Sequence, residues 1–282
     1  MIYDYSKKAV KESLNALKIE NHKMREGYVH KLLDYYNGNN TKYYIEGRFD
    51  LDAFREVPPY EANITKKFIN KMSRVYTVGA DRNVNEKYDR ISVLKDSKMK
   101  HIERMTRLIG TIACRIMYVD DDMPHFDYQP IYYFHPFFGE DPFKPVAISY
   151  PLMNYTDDVS NSEICQYIHW NDEVYIIFDE NGRVIEEKPH GYGTLPFVFT
   201  HREHQSDAFY VEGANDIMGA NEHINITMTE MQLGLRFQMF GQPVVSGADL
   251  GNNQRFGSDV ILELPSDANY NILSPAGDIN KV

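Results

Sequence analysis

One periodic segment constrains the fold of this chain more than any other feature. Apolar residues recur in it at steps of three and four, the spacing of one helix face: Ile217, Ala220, Ile224, Met228, Met231 and Leu235. Asn215 is a candidate N-cap, and Gly241-Gln242-Pro243 stops the pattern. A helix from Asn215 to Phe240 would be roughly 38 Å long. We expect it to pack along the apolar stripe and to expose a mildly acidic surface elsewhere.

The first 110 residues contain further helical patterns. A first apolar pattern comprises Val10, Leu14 and Leu17, and a second comprises Met24, Tyr28, Leu32 and Tyr36. Both predict helix, and Asn37-Gly38 is the expected stop after Tyr36. Asn63 is a plausible N-cap for a helix ending at Gly79, with an apolar stripe of Ile64, Phe68, Met72 and Val75. Its other face is basic and is expected to be solvated: Lys66, Lys67, Lys71 and Arg74. A last pattern, closed by Gly110, comprises Met99, Ile102, Met105 and Leu108.

The middle of the chain changes to the two-residue period of strands. Alternation over residues 112–118 predicts a strand, and residues 131–134, 146–150 and 164–170 are further candidates. Two β-rich runs around Asn181-Gly182 predict a hairpin within residues 174–187. After the long helix, strands are expected at residues 244–246, 260–264 and 270–273. Short antiparallel strands flanked by helices indicate an α+β fold.

Composition excludes several classes of protein. The 282 residues carry a formal net charge of −11, which repels phosphate on average and disfavours a sequence-reading nucleic-acid binder. Two cysteines, Cys114 and Cys165, cannot form a disulfide framework, so we expect a reducing cytoplasm. The first residues do not have the pattern of a secretory signal, and no apolar run approaches a membrane span. The 21 tyrosines fit aromatic core packing better than extensive subunit interfaces.

The sequence contains only weak candidates for a catalytic or metal-binding site. The sequence has no phosphate-binding P-loop, no complete dinucleotide fingerprint and no nucleophile elbow. His201, Glu203 and His204, with Asp207 nearby, could ligate zinc or manganese, although a solvated loop is the favoured interpretation. The acidic run at residues 120–122, with Asp127, could hold a hard cation but is better explained as an acidic loop. We therefore expect no enzymatic activity, no cofactor and no metal.

Several segments, taken in order, resemble the portal proteins of tailed bacteriophages, which form the head-to-tail connector. The matching segments are residues 35–39, 63–79, 110–118, 193–198 (Gly-Thr-Leu-Pro-Phe-Val) and 213–217 (Gly-Ala-Asn-Asp-Ile). In the last of these, Asn215 stands where the family usually has serine. The order and spacing of the segments over most of the chain carry the resemblance.

The resemblance implies a portal-type fold of three parts. Residues 1–206 would form the wing, residues 207–240 the stem helix and residues 241–282 the clip with the start of a return segment. The family's return stem helix, tunnel loop and crown would lie beyond Val282, so the chain is expected to be incomplete at its C-terminal end. Candidates to face the channel or a neighbouring subunit are Glu222, Asn225, Thr229, Glu230 and Gln232. Candidates for partner binding in the clip are Asn252, Asn253, Gln254 and Arg255.

The same resemblance implies a function and a set of partners. Twelve copies would form a ring at one capsid vertex, through which double-stranded DNA is packaged and ejected without sequence-specific binding. Implied partners are the terminase large subunit, capsid and scaffolding proteins and a head–tail adaptor, in the virion and, during assembly, in the host cytoplasm. Membrane association is not expected. Two alternatives remain open: another virion assembly or adaptor component, and a metal-dependent hydrolase using His201, Glu203 and His204.

Overall fold

The computed structural model describes residues 2–39, 41–49, 58–78, 83, 85–86, 95–120, 125–152, 166–204, 207–240, 242–246 and 269–273. Contacts divide the chain into two units. The first comprises Met1–Asn40 and Asn63–Asn221, and the second comprises Thr41–Ala62 and Glu222–Val282. These units follow other boundaries than the predicted wing, stem and clip, which stay a prediction. Helices occur together with antiparallel strands, so the predicted α+β class is confirmed.

Five helices of the described chain precede the strands. They are α1 (Ile2–Lys18), α2 (Glu20–Asn37), α3 (Thr41–Glu46), α4 (Ile64–Met72) and α5 (Lys95–Ile109). The predicted stop of α2 is confirmed, because Gly38 has a left-handed φ of 79° and donates its N–H to Asp34 O at 2.8 Å. The predicted apolar face of α2 is only partly correct. Leu32 and Tyr36 are buried, but Met24 is 67% exposed and the buried side also contains His22, Val29 and Tyr35.

The structure corrects the predicted helix after Asn63. Asn63 caps α4 as predicted, accepting the Lys66 N–H at 3.0 Å, but the helix ends at Met72 rather than near Gly79. Its buried side is Thr65, Ile69 and the following Ser73, whereas the predicted stripe residues Phe68, Met72 and Val75 are exposed. The buried residues recur every four positions, as predicted, but they lie one residue after the predicted apolar residues. The predicted basic face is exposed as expected, and the predicted core face of α5 is confirmed, since Ile102, Met105 and Leu108 are buried.

Eight strands of the first unit form two antiparallel sheets. One has the order β2–β1–β8, and the other has the order β3–β4–β5–β6–β7. The strand bounds are β1 Thr111–Val119, β2 His125–Ile131, β3 His135–Phe138, β4 Pro145–Leu152, β5 Gln166–Trp170, β6 Val174–Asp179, β7 Val184–Pro189 and β8 Phe197–His201. The predicted hairpin is β6–β7. The strand expected at residues 131–134 is displaced, because β2 ends at Ile131 and the chain then bends, leaving Phe134 in the core.

Aromatic and branched side chains fill the core between these elements. Its central cluster combines residues of both sheets: Ala113, Ile131, Phe134, Ile148, Tyr150, Ile168, Trp170, Phe197 and Phe209. A second cluster joins Ala9 and Val10 of α1 to Ile176 and Phe178 of β6. Cys114 is buried and free, and burial raises the pKa of its thiol to about 11, so the thiol is unreactive at neutral pH.

The second unit contains α3 and a two-stranded antiparallel ribbon. It also contains most of the long helix α6, which spans Asn215–Phe240. The ribbon pairs β9 (Gln242–Ser246) with β10 (Asn269–Leu273), with Val244 opposite Asn271. The predicted strands near residues 244–246 and 270–273 are therefore confirmed, whereas residues 260–264 lie outside the described chain. Among the described helices, none is long and apolar enough to cross a membrane.

Two buried histidines of the first unit are held in the neutral form. His169 Nδ1 lies 2.8 Å from Ser149 Oγ and 3.1 Å from Ser13 Oγ, whose hydroxyl donates to Ala9 O. His22 stacks on Tyr133 with ring centroids 4.4 Å apart. Burial lowers the pKa of the His169 imidazole to about 4, and burial together with the charges of His135 and Arg25 lowers that of His22 to about 4. Charging either ring inside the fold is therefore unfavourable.

Acidification should destabilise the protein in a defined pH range. Below the ordinary histidine pKa of about 6.5, the unfolded chain binds protons at these positions and the folded chain does not. Stability present above pH 6.5 should fall progressively towards pH 4, by about 2 kcal/mol per histidine at pH 5. Urea unfolding of the parent and of His169→Gln between pH 7.5 and pH 5 measures this, and the variant should have the weaker pH dependence. His204→Gln, at an exposed position, is the matched control, and identical slopes for parent and His169→Gln would refute the assignment.

Candidate functional site on the long helix

The long helix begins where two glycines allow backbone to contact backbone. Gly110, with φ of 96°, follows α5, and Gly213 precedes α6. A Cβ atom at Gly110 would overlap Val211 O, and one at Gly213 would overlap Leu108 O. The Ala214 N–H donates to Leu108 O and the Arg202 N–H donates to Gly110 O, both at 2.8 Å. The fold therefore brings two segments together that are about a hundred residues apart in the sequence.

Side chains complete this junction within the first unit. The Arg202 guanidinium donates to Gly213 O at 2.7 Å, and the Val211 N–H donates to Thr111 Oγ1 at 2.9 Å. Asn215 is the first residue of α6 and its Oδ1 has no partner among the described residues, so the predicted Asn215 cap is wrong. The start of the helix is fixed instead by the backbone contacts of Gly110 and Gly213.

One side of α6 buries polar groups. Asn221, Asn225 and Thr229 recur at steps of four, and each is 0% exposed. In the first unit, Asn221 Oδ1 accepts the Ile64 N–H at 2.6 Å and the Thr65 N–H at 3.1 Å. In the second unit, Asn225 accepts the Ala62 N–H at 2.9 Å, and its amide donates to Ala62 O at 3.3 Å.

Thr229 continues this polar side in the second unit. Its hydroxyl accepts the Tyr60 N–H at 2.9 Å and donates to Asn225 O at 2.7 Å. Residues 60–65 therefore satisfy backbone hydrogen bonds with side chains of α6. Buried polar atoms must be paired, so these three residues have a structural role.

The predicted apolar stripe of α6 is exposed. Ile224, Met231 and Leu235 are 42%, 45% and 42% exposed, and Met228 between them is half-buried. At about 100° per residue, the stripe lies roughly a quarter of a turn from the buried polar side. The helix bounds were predicted correctly, and packing along this stripe stays a prediction, because within the single chain the buried side of α6 is the polar one. A continuous apolar strip on a helix surface is a typical contact surface for another protein.

The residues proposed to face a channel or a neighbour have different positions in the structure. Asn225 and Thr229 are buried within the chain by their bonds to residues 60–62, so that prediction is corrected for both. Glu222 is mostly covered and forms an ion pair with Arg48 at 3.6 Å within the second unit. Glu230 is exposed and Gln232 is half-buried, which leaves both as candidates. The clip candidates Asn252, Asn253, Gln254 and Arg255 lie outside the described residues.

The alternative metal site is not assembled by the fold. His201 ends β8, where its Nδ1 lies 3.1 Å from Thr111 Oγ1 and its ring packs edge-on to Phe209. Burial lowers the pKa of this imidazole. Among the described residues, which include Glu203 and His204, no group of three or more metal-ligating side chains converges. Asp127 pairs with Lys98, and Asp121 and Asp122 lie outside the described chain.

No protein-family model and no curated protein sequence matches the chain.

Replacing Gly213 by alanine should destabilise the junction. The added methyl group would overlap backbone atoms that cannot move independently, so we expect a loss of about 1–3 kcal/mol in the free energy of unfolding. Gly219→Ala in the same helix is the matched control, because its Cβ would meet nothing within 4 Å. That control should stabilise by about 0.5–1 kcal/mol through helix propensity. Urea unfolding measures both, and equal effects of the two substitutions would contradict the contact.

Thr229→Val should reduce stability more than the same substitution at an exposed threonine. The substitution keeps the shape of the side chain but leaves the Tyr60 N–H without its acceptor, at a cost of about 1–3 kcal/mol. Thr227→Val, on an exposed position of the same helix, should change stability by less than about 0.5 kcal/mol. Thermal and urea unfolding of both variants tests the difference, and a neutral Thr229→Val would show that the hydrogen bond contributes nothing.

Proposed function

We propose that this chain is a structural subunit of a portal-type ring, the channel at one capsid vertex through which a tailed bacteriophage packages and ejects its DNA. The observation that supports this proposal most is the apolar stripe on a 26-residue helix, with Ile224, Met231 and Leu235 exposed and Met228 half-buried between them. A ring of identical subunits needs such a surface, because each copy must bury part of its own helix against the next copy. Burial of apolar area in that contact is the main favourable term.

The position of the stripe on the helix agrees with this role. Because Asn221, Asn225 and Thr229 occupy the side that contacts residues 60–65, Ile224, Met231 and Leu235 remain exposed. A solvent-facing helix of a monomer would be expected to carry charges at these positions. In a ring, the same positions would contact the neighbouring subunit.

Charge supports passage of DNA rather than retention. The chain has 41 acidic and 30 basic residues, and α6 contains Asp216, Glu222 and Glu230 but only one cation, Arg236. Each phosphate contact adds affinity through counterion release, so a conduit that lets DNA slide should make few of them. Exposed Glu230 is the residue of α6 that we assign to the channel side.

In this proposal the subunit has no catalytic role. A separate terminase motor would supply ATP hydrolysis, and the same ring would meet capsid and scaffolding proteins and a head–tail adaptor during assembly. The predicted clip residues 252–255 would provide the contact with terminase and adaptor. The finished ring would reside at the portal vertex of the virion.

Charged residues placed in the stripe should prevent assembly. Ile224→Glu or Leu235→Glu would bury an unpaired carboxylate between subunits, weakening association by about a hundredfold or more. Size-exclusion chromatography with light scattering and negative-stain microscopy should show rings for the parent chain and smaller species for the variants. Circular dichroism establishes that the variants remain folded.

His223→Glu provides the matched control for added charge. His223 is exposed on α6, roughly a third of a turn from the stripe, so the control should assemble like the parent. A parent chain that stays monomeric at high concentration, or stripe variants that assemble like the parent, would reject the proposed function.

A further inference from the structure

An open cavity of about 560 Å³ lies in the first unit, beside α4 and α5. The described residues that line it come from the end of α4, the turn after it and the middle of α5: Asn70, Ser73, Arg74, Thr77, Lys100 and Arg104. Lys100 and Arg104 are one helical turn apart, so their side chains lie on the same face of α5. The cavity is remote in sequence from the stripe of α6.

Positive charge dominates the lining of this cavity. Three of the six described lining residues are cationic and none is acidic, in a chain whose net charge is −11. The C-terminal end of α4 contributes about half a negative charge, which one cation offsets, and Arg74 Nε donates to Lys71 O there at 2.8 Å. Glu103 of α5 uses its Oε1 to pair with Arg107 at 3.3 Å and to accept the Val75 N–H, and its Oε2 is buried without a partner among the described residues. A surplus of positive charge remains.

Two buried donors of the lining have no partner among the described residues. Ser73 is only 2% exposed, and its hydroxyl makes no hydrogen bond with any described residue. Arg104 Nε is likewise buried and unpaired. Asn70 uses its amide oxygen to accept the Tyr36 hydroxyl at 3.0 Å, so its NH₂ group is the part left to donate. Native structures rarely leave buried donors unpaired, and such groups commonly mark the place of a ligand or ion.

We propose that this cavity is a binding site for a phosphate group. Its lining combines guanidinium and ammonium groups with hydroxyl and amide donors, the set that proteins use for phosphate oxygens. A phosphate would supply the missing acceptors for Ser73 and Arg104 and would neutralise the surplus charge. The group could belong to inorganic phosphate or to the backbone of DNA, and the same chemistry serves both.

This inference does not rest on the proposed ring. Phosphate binding concerns residues 70–104 of the first unit and is measurable whether or not the chain assembles. If the chain is monomeric and binds phosphate, the proposed ring is wrong and the phosphate site is supported. If the chain forms a ring that does not bind phosphate, only the phosphate site is wrong.

Inorganic phosphate and a short DNA duplex are the two probes for the full chain. Isothermal titration calorimetry and thermal shift should detect phosphate binding, and fluorescence anisotropy should detect the duplex. Arg104→Gln and Lys100→Gln should each weaken binding by about tenfold, because each removes one charge-assisted contact. For DNA, each substitution should also reduce the slope of log affinity against log salt by about 0.9. Ser73→Ala should weaken phosphate binding without changing that slope.

Lys67→Gln is the matched control for loss of one positive charge. Lys67 is exposed on α4 and is not among the described lining residues, so its replacement should leave phosphate affinity unchanged. Arg74→Gln, at an exposed lining position, decides the matter if Arg104→Gln does not fold. Binding of phosphate but not of the duplex would identify a small-anion site. Failure of both probes to bind, or equal affinities for the control and the cavity variants, would overturn the proposal.

Discussion

The structure depends on the backbone-to-backbone contacts that Gly110 and Gly213 allow, with Gly110 against residues 211–212 and Gly213 against residues 108–109. Side chains at either position would separate the end of α5 from the start of α6, and the Ala214 hydrogen bond to Leu108 would be lost. Gly110 also leads directly into β1, the central strand of the three-stranded sheet. A helix end, a sheet and the long helix therefore share one junction, and a single methyl group is enough to disturb all three.

Much of the fold could be predicted from the sequence because it is encoded locally. The period of α6, its stop at Gly241-Gln242-Pro243, the glycine at the end of α2 and the Asn181-Gly182 turn are all short-range signals. Each reflects a backbone preference or a missing donor that acts within a few residues. The bounds of α6 and the β6–β7 hairpin were obtained in this way.

Helix orientation could not be predicted, for a physical reason that α4 and α6 share. In both helices the apolar residues form a regular stripe, yet the buried side includes polar residues: Thr65 of α4 with the following Ser73, and Asn221, Asn225 and Thr229 of α6. Ile69 and Met218 are the apolar residues buried with them. On α6, backbone N–H groups of residues 60–65 need acceptors, and side-chain amides and hydroxyls meet that need. Hydrophobic periodicity reports only which helix face would gain from burying apolar side chains, and it contains no information about backbone groups elsewhere that need hydrogen-bond acceptors. The basic cavity could not be predicted either, since Arg74 is distant in sequence from Lys100 and Arg104.

The buried polar side of α6 also determines how the helix can move. Hydrogen bonds are directional, so turning α6 by one residue or sliding it by one turn would break its pairing with residues 60–65. Apolar contacts are not directional and would tolerate such a shift, whereas the hydrogen bonds of these side chains would not. Within the second unit, the bonds of Asn225 and Thr229 to residues 60–62 therefore hold the helix that carries Ile224 and Leu235 in one orientation, so little entropy is lost when another surface binds these residues.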